Sequence, residues 1–223
     1  MKKVSSKLLQ LINEGEHQKQ DFKFCVNDSR KIARSLVSFA NTDGGVLLIG
    51  VKDNGHIVGV QSEEEYYMVE SAARIYSKPP IPFKIKQWHI DGKTVLEVRI
   101  DPSNMKPHYA KDEEGKWLAF VRHNDENKLA SKVLIDVWRK RKSTNGILVH
   151  LDEPEKFLLN YLKMNDFITV SAFARKACIS YRKAEQLLSD FIVIGIVQPY
   201  YGENKLFYQL NRKFDLVEWE AQR

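Results

Sequence analysis

The chain has 223 residues, 43% of them hydrophobic and 29% charged, a composition typical of a globular protein rather than a disordered one. Two cysteines exclude a disulfide scaffold and a cysteine-based zinc site, and no apolar run reaches the ~18 residues of a membrane helix, so we expect a cytoplasmic protein with no membrane partner. The net charge is +6 and the whole basic excess lies in residues 1–150, which favours a polyanionic partner.

The first 145 residues mix helical and strand patterns. In chain order, hydrophobic periodicity and turn residues predict helices over 5–13, 30–41, 62–76 and 131–142, and strands over 46–51, 56–60, 83–90, 93–100 and 117–122. The run 46–51 is apolar throughout, which is typical of a strand buried on both faces. Asn54-Gly55 predicts a tight hairpin from this strand. These elements predict an α+β domain over residues 1–145, with a mixed sheet around one buried strand.

A different pattern follows the polar linker at residues 143–146. It predicts helices over 153–164, 170–178 and 181–194, and then two strands at 196–199 and 205–210. A helix, a helix-turn-helix and a two-stranded hairpin are the layout of a winged helix. We therefore predict a winged helix-turn-helix domain over residues 150–223, with a short C-terminal tail that contains Trp219 and packs back or joins a dimer.

Three acidic residues of the first domain are candidates for a catalytic metal site. If residues 21–23 form a strand, Asp21 and Lys23 share one face and Phe22 takes the other. Asp53 ends the buried strand, where its carboxylate could meet those of Glu16 and Asp21. Such oxygen donors suit Mg²⁺ or Mn²⁺, which could activate water beside a phosphate held by Lys23. The alternative is that these are ordinary surface and turn acids.

Glycines surround the buried strand and could suggest a phosphate-binding loop. The stretch lacks a Gly-Lys-Ser/Thr ending and a glycine triplet that opens a helix, so a tight connection between helix and strand is the better interpretation. The motif residues are Asn41, Gly44, Gly45, Gly50 and Gly55.

The same stretch resembles the signature of the Schlafen-type AlbA domain family, whose members are described as DNA-binding domains. The family pattern is an acid, an acid-Phe-Lys triplet, Phe-Ala-Asn-Thr-x-Gly-Gly after a helix, an apolar strand and Gly-Val-x-Asp-x-Gly. Glu16, the triplet 21–23 and the segment 39–59 match it in order, and the segment 117–122 resembles the later strand that ends in Arg122. The resemblance spans about residues 8–135.

The resemblance also implies a possible activity. Some members of the wider Schlafen group are metal-dependent endoribonucleases that act on structured RNA, and their acids correspond to Glu16, Asp21 and Asp53, with Lys23 as the companion lysine. Position 21 is Asp where the family usually has Glu, and position 52 is Lys where a second acid is common. Both differences weaken a metal site, and most bacterial members are known only as binding domains.

Basic residues form candidate nucleic-acid surfaces in both domains. In the first domain, the candidates lie on the predicted strands and at the end of the helix 131–142: Lys84, Lys86, Arg122, Arg139, Lys140 and Arg141. In the second, they lie on the helix 181–194 and in the wing: Tyr181, Arg182, Lys183, Gln186 and Lys205. The alternatives are a solvated sheet face, cations at a helix C-terminus and a protein-docking winged helix.

The leading hypothesis is a nucleic-acid-binding protein, a bacterial-type transcriptional regulator in which the winged helix reads DNA and the chain forms a homodimer. The competing hypothesis is an endoribonuclease that cuts structured RNA with Mg²⁺ or Mn²⁺ as its cofactor. A third hypothesis is an adaptor whose two domains only assemble proteins. The basic predicted recognition helix favours the first hypothesis, and the ordered acids with Lys23 favour the second.

Overall fold

The protein is described by a computed structural model that covers residues 2–144, 146, 150–202 and 205–214. Its packing divides the chain into two compact units, Met1–Ala130 and Ser131–Arg223. Among the helices of these described residues, none has the length and apolar character needed to cross a membrane. The predicted tail with Trp219 lies outside the described residues.

The first unit is a mixed α+β structure, as predicted. In chain order it contains α1 (Lys2–Glu14), β1 (Gln20–Lys23), α2 (Ser29–Asn41), β2 (Gly45–Ile49), α3 (Glu64–Arg74), β3 (Ser77–Lys78), β4 (Lys84–Ile90), β5 (Lys93–Ile100), β6 (Tyr109–Lys111), β7 (Trp117–Leu118), β8 (Phe120–His123) and β9 (Glu126–Leu129). The main sheet has the order β1-β2-β5-β4, in which β1 and β2 are parallel and the other neighbours antiparallel. Smaller sheets join β3-β6-β7 and β8-β9.

Strand β2 lies inside the main sheet, between two apolar layers. One layer joins α1 to one face of the sheet and includes Leu8, Phe22, Leu48, Trp88 and Val95. The other joins α2 and α3 to the opposite face and includes Leu36, Leu47, Val69 and Val98. Because β2 sends alternate side chains to both layers, residues 46–49 are all buried, which confirms the predicted two-sided burial.

The connection from α2 to β2 is held by hydrogen bonds and by tight glycine packing. The Asn41 amide donates to the carbonyls of His108 and Phe120, both at 2.9 Å, and its oxygen accepts from the His108 N–H at 2.8 Å. Gly44 has φ +71°, and a Cβ there would lie 2.7 Å from the Ile100 carbonyl oxygen. A Cβ on Gly45 would lie 2.4 Å from the Phe39 ring. The motif therefore closes a packed corner, as the tight-connection interpretation predicts.

Two strand predictions are wrong. The expected return strand 56–60 is reduced to an isolated bridge between Val51 and Ile57. Gly50, at φ +94°, turns the chain, and its carbonyl accepts from the N–H groups of Val58 and Gly59. The expected strand 117–122 is interrupted at Ala119, because β7 pairs with β6 whereas β8 pairs with β9.

The second unit contains five consecutive elements that match the predicted order, preceded by one further helix. Its elements are α4 (Lys132–Lys142), α5 (Glu153–Met164), α6 (Val170–Lys176), α7 (Tyr181–Val193), β10 (Val197–Tyr201) and β11 (Leu206–Leu210). Strands β10 and β11 form an antiparallel hairpin. Val133 and Val137 of α4 share one core with Leu158, Phe173 and Leu188. The sequence pattern assigned this helix to the first domain, whereas the packing places it in the second unit.

Gly44→Ala is expected to destabilise the chain more than Gly92→Ala. Both glycines have nearly the same positive φ, +71° and +73°, so each substitution costs about 1–2 kcal/mol in backbone strain. Only Gly44 faces a carbonyl oxygen within contact distance, which adds about 1–3 kcal/mol of overpacking, whereas a Cβ on Gly92 meets nothing within 4 Å. Urea unfolding of the two variants measures the difference, and equal losses would contradict the packing argument.

Candidate functional site

Asp21 is the centre of a buried polar cluster in the first unit. It lies on β1 with its carboxylate toward α2, whereas Phe22 packs in the α1 layer, as the strand alternation predicts. Its side chain accepts hydrogen bonds from the Lys23 ammonium at 3.0 Å and the Ser35 hydroxyl at 2.9 Å. Asp21 as a whole is only 3% exposed to solvent. Both carboxylate oxygens are therefore already engaged by neighbouring donors.

Arg122 forms the cationic side of this cluster. Its guanidinium lies 3.6 Å from the Asp21 carboxylate and donates to the Gln20 carbonyl at 2.9 Å and to the Asn127 side chain at 3.2 Å. It also packs over the Phe39 ring, at 5.3 Å from the ring centroid. Since Arg122 is 3% exposed, it is not presented to a phosphate backbone. The structure assigns it to the internal cluster rather than to the predicted nucleic-acid surface.

The pKa values of Glu16 and Asp21 are shifted in opposite directions. The Glu16 carboxylate accepts from the Phe22 N–H at 2.8 Å. Burial and the neighbouring Asp21 carboxylate raise the pKa of Glu16 from 4.5 to about 7. Burial also opposes ionisation of Asp21, but the hydrogen bond with Glu16 and the charges of Lys23 and Arg122 outweigh it and hold the pKa of Asp21 below its usual value.

Asp53 does not join the other two acids. It lies in an exposed turn, and the surface cleft there is lined by Asn13 and Gly15 at the end of α1. Asp21 pairs with Leu47 in the middle of β2, and the chain turns at Gly50 before it reaches Asp53. In the part of the chain that the structure describes, no three His, Cys, Asp or Glu side chains are grouped closely enough to hold a metal ion.

The acids therefore do not fit the expected Mg²⁺ or Mn²⁺ site. A metal site needs several oxygens that are open to the ion, but both Asp21 oxygens already accept hydrogen bonds, from Lys23 and Ser35, and Asp53 lies apart in an exposed turn. Two cations, Lys23 and Arg122, supply the positive charge beside Asp21. The cluster is an internal ion-pair network, and we derive no metal-dependent reaction from it.

The other basic candidates of the first unit lie on β4, one of the two edge strands of the main sheet. Lys84 is exposed and pairs with Asp101 at 3.0 Å. Lys86 is exposed, and its ammonium sits 3.5 Å from the centroid of the Trp88 ring. The structure thus keeps both lysines at the surface, on one face of the strand, where they add positive charge.

The basic residues at the C-terminal end of α4 differ in their surroundings. Arg139 and Arg141 are exposed. Lys140 is half-buried and binds the C-terminal half of α7, through the Asp190 carboxylate at 2.8 Å and the Ser189 hydroxyl at 2.5 Å. Lys140, predicted as a nucleic-acid contact, therefore links two helices of the second unit.

Four of the predicted nucleic-acid contacts lie on the first two turns of helix α7. Tyr181, Arg182, Lys183 and Gln186 are all exposed. Ser180 caps the helix, because its hydroxyl accepts from the Lys183 N–H at 3.1 Å. The Lys183 ammonium is 4.0 Å from Glu155, so it is only weakly neutralised. Lys205, which precedes β11, is also exposed.

The sequence patterns did not identify Arg34 or three aromatic side chains of the second unit. Arg34 lies on α2 over the Phe120 ring, and its Nε is buried without a hydrogen-bond partner. Phe167, Tyr200 and Phe207 lie together near the α5–α6 turn and the β10–β11 hairpin. The sequence did carry a signal for these three aromatic residues. They lie beside predicted turns, where small polar residues are usual, so large rings there are unexpected.

Comparison with known proteins gives one family match. Residues 16–131 match the family model described as Schlafen, AlbA_2. No curated protein matches the sequence. Among solved structures, the DIP2311 protein from Corynebacterium diphtheriae is 15% identical, with a TM-score of 0.45, and the match covers 67% of this chain and 36% of that one. The chain thus matches little more than a third of that protein.

A second solved structure is the N-terminal domain of a protein from Nitrosomonas europaea that is named as related to the ATP-dependent DNA helicase RecG. It is 21% identical, with a TM-score of 0.39, and the match covers 66% of this chain and 95% of that domain.

Asp21→Asn is expected to lower the free energy of unfolding by about 3–5 kcal/mol, because it leaves the buried Arg122 without its counter-charge while the side-chain volume is kept. The matched variant Asp53→Asn changes an exposed turn residue and is expected to stay within about 0.5 kcal/mol of the wild type. Urea unfolding measures both. Equal effects would show that the buried cluster does not stabilise the fold.

Stability should depend on pH through Glu16. The folded chain keeps the Glu16 proton up to about pH 7, whereas the unfolded chain loses it near pH 4.5. The folded state therefore binds more protons between these values, and its free energy of unfolding falls as the pH rises through that window. Glu16→Gln should remove this fall, since Gln can still accept from the Phe22 N–H. Unfolding titrations between pH 4.5 and 7 test it, and parallel curves would contradict the raised pKa of Glu16.

Proposed function

The chain belongs to the Schlafen AlbA_2 family, because the family model matches residues 16–131 of 223, and from this membership we propose that it is a nucleic-acid-binding protein that acts as a DNA-binding transcriptional regulator. The family domain supports the nucleic-acid part of the proposal. The second unit supports the choice of DNA, and we interpret it as a winged helix-turn-helix domain. The Mg²⁺- or Mn²⁺-dependent nuclease hypothesis is not carried further, because the third acid does not converge with the other two.

The arrangement of the second unit favours the winged-helix interpretation. Helices α6 and α7 are joined by a short turn in which Cys178 has φ +54°, and both helices pack into one core. The β10–β11 hairpin follows, and Ile168, just before α6, forms an isolated bridge with Tyr208 of that hairpin. In a winged helix the second helix of the pair enters the major groove of DNA, and the hairpin lies beside it. Helix α7 is the reading helix in this proposal.

The observation that carries the proposal is the exposed N-terminal turn of α7. Tyr181, Arg182 and Lys183 are exposed there, and the first turn has no acidic residue. The opposite side of the helix is buried through Ala184 and Leu188, so its orientation in the core holds the polar side toward solvent. The positive end of the helix dipole adds to these cations, and hydrogen-bond donors at this position suit both phosphates and base edges.

In the AlbA_2 unit, two exposed lysines are the proposed DNA contacts, because the glycine-rich motif packs inside the unit. Lys84 and Lys86 are exposed on the edge strand β4, and we assign them contacts with the phosphate backbone. We propose that two copies act as a homodimer, because paired reading helices can bind successive major grooves of a symmetric operator. The cytoplasm is the expected location of such a regulator.

The double variant Arg182→Ala/Lys183→Ala should weaken binding to a pool of random-sequence DNA duplexes at low salt by about tenfold or more, because it removes two exposed cations at the reading-helix terminus. It should also make the affinity less dependent on salt. Lys156→Ala, an exposed lysine of α5, is the matched control and should bind like the wild type. Fluorescence anisotropy titrations measure all three. Unchanged affinity in the double variant rules out α7 as the contact, and no duplex binding by the wild type would favour an adaptor role.

A further inference from the structure

Three aromatic rings of the second unit form an exposed cluster that the reading helix does not explain. The Phe167 and Tyr200 rings lie 6.2 Å apart with planes at 18°, and Phe207 lies 4.8 Å from Phe167. Phe167 is 44% exposed and Tyr200 is 46% exposed. Aromatic side chains normally bury most of their surface, so a platform of rings open to solvent indicates a binding surface.

Two of these rings, Phe167 and Tyr200, line a cleft with a volume of about 500 Å³. Lys163 and Arg212 also line this cleft, and both are exposed. Gln209 contributes an amide that can donate to and accept from a base edge, and the described lining residues also include Asp166. We call this surface, made by Phe167, Tyr200, Lys163, Arg212 and Gln209, the aromatic cleft.

We propose that the aromatic cleft binds single-stranded nucleic acid, with unpaired bases stacked on Phe167 and Tyr200 and with backbone phosphates near Lys163 and Arg212. Every base has a flat π face, so stacking on aromatic rings does not depend on sequence, and flanking cations hold the strand. The proposal deepens the proposed function, since both concern nucleic acid, but it names a different surface and a different form of the ligand.

The chemistry of the cleft favours a nucleic acid over a protein partner. Protein interfaces are enriched in aromatic residues and arginine but depleted of lysine, so Lys163 is the lining residue that distinguishes this cleft from a protein-docking surface. Among the described residues that line the cleft, Lys163 and Arg212 lie beside the rings together with Asp166. A polyanion with flat apolar faces is complementary to both features at once.

The aromatic cleft and the reading-helix terminus can be tested separately. Phe167 precedes the seven-residue helix α6, and Tyr181 follows it, so the two surfaces belong to opposite ends of that helix. At a rise of 1.5 Å per residue, these ends are roughly 10 Å apart along the axis. Substitutions in the cleft should therefore leave the exposed side chains of α7 in place.

The test uses the full chain and an oligothymidine labelled with fluorescein, together with an oligonucleotide that contains 2-aminopurine. Phe167→Leu and Tyr200→Leu keep an apolar side chain but remove the ring. Each is expected to weaken single-strand binding roughly tenfold and to reduce the quenching of 2-aminopurine, while duplex binding stays as in the wild type. Tyr67→Leu, at a 60% exposed tyrosine of the first unit, is the matched control and should change neither measurement.

A second variant tests the cations without touching the rings. Lys163→Gln/Arg212→Gln should weaken single-strand binding and make it less dependent on salt, since fewer counterions are released. Circular dichroism verifies that every variant is folded. Single-strand affinity that is equal in the wild type and the Leu variants would overturn the proposal.

Light scattering tests whether a second copy of the chain occupies the cleft instead of a nucleic acid. A wild-type dimer that becomes monomeric in Phe167→Leu, with unchanged single-strand affinity, would identify the cleft as a contact between copies and overturn the proposal. Loss of single-strand binding in the Leu variants supports it even if the wild type binds no duplex. In that case the proposed role of α7 fails while the aromatic cleft stands.

Discussion

The first unit depends on one buried charge pair, Asp21 with Arg122. Placing two charged groups in the interior costs several kcal/mol for each, unless hydrogen bonds and the opposite charge compensate. Here the compensation comes from several elements: Arg122 on β8 donates to the Gln20 carbonyl on β1, and Ser35 on α2 donates to Asp21. The pair therefore stabilises the protein only when β1, α2 and β8 are all in place, which ties the small β8–β9 sheet to the main one.

The same network accounts for the motif by which the family is recognised. Thr42, which follows α2, accepts from the Arg122 N–H, and Asn41 binds the backbone at His108 and Phe120. Gly44 and Gly45 leave no room for a Cβ. These residues hold the helix end against the strands that carry Arg122. In this chain the signature residues therefore pack the unit together, and the candidate functional side chains are those that face solvent.

Patterns that depend on neighbours in the chain predicted the structure well. Periodicity located α2, α5 and α7, and Ser131 and Ser180 cap α4 and α7 as hydroxyl residues in such positions usually do. The two-sided burial of β2 followed from its unbroken apolar run. The Asn54-Gly55 turn forms, since the Lys52 N–H donates to the His56 carbonyl and Val51 forms an antiparallel bridge with Ile57. The return pairing stops there, and the Gly50 carbonyl accepts from the N–H groups of Val58 and Gly59.

The candidate site was harder to predict, because order along a chain does not determine where a side chain points. Glu16 and Asp21 do meet, but Arg122, about a hundred positions away, occupies the other side of Asp21. Lys140 is part of a basic run, yet its ammonium binds Asp190 on α7 rather than an external anion. Both outcomes depend on tertiary contacts between residues far apart in the sequence. The exposed residues of α7 were predictable because a helix buries one side and presents the other.

The position of α4 has a practical consequence for dissecting the protein into its parts. Polar residues 143–146 look like the natural place to divide the gene, but Val133 and Val137 on the near side of them belong to the second core. A fragment that begins at residue 150 would expose the apolar surface that α4 covers and would lose the partner of Asp190. Truncation between Ala130 and Ser131 keeps each core intact. The compact unit that contains α7 is therefore longer, by one whole helix, than residues 143–146 suggest.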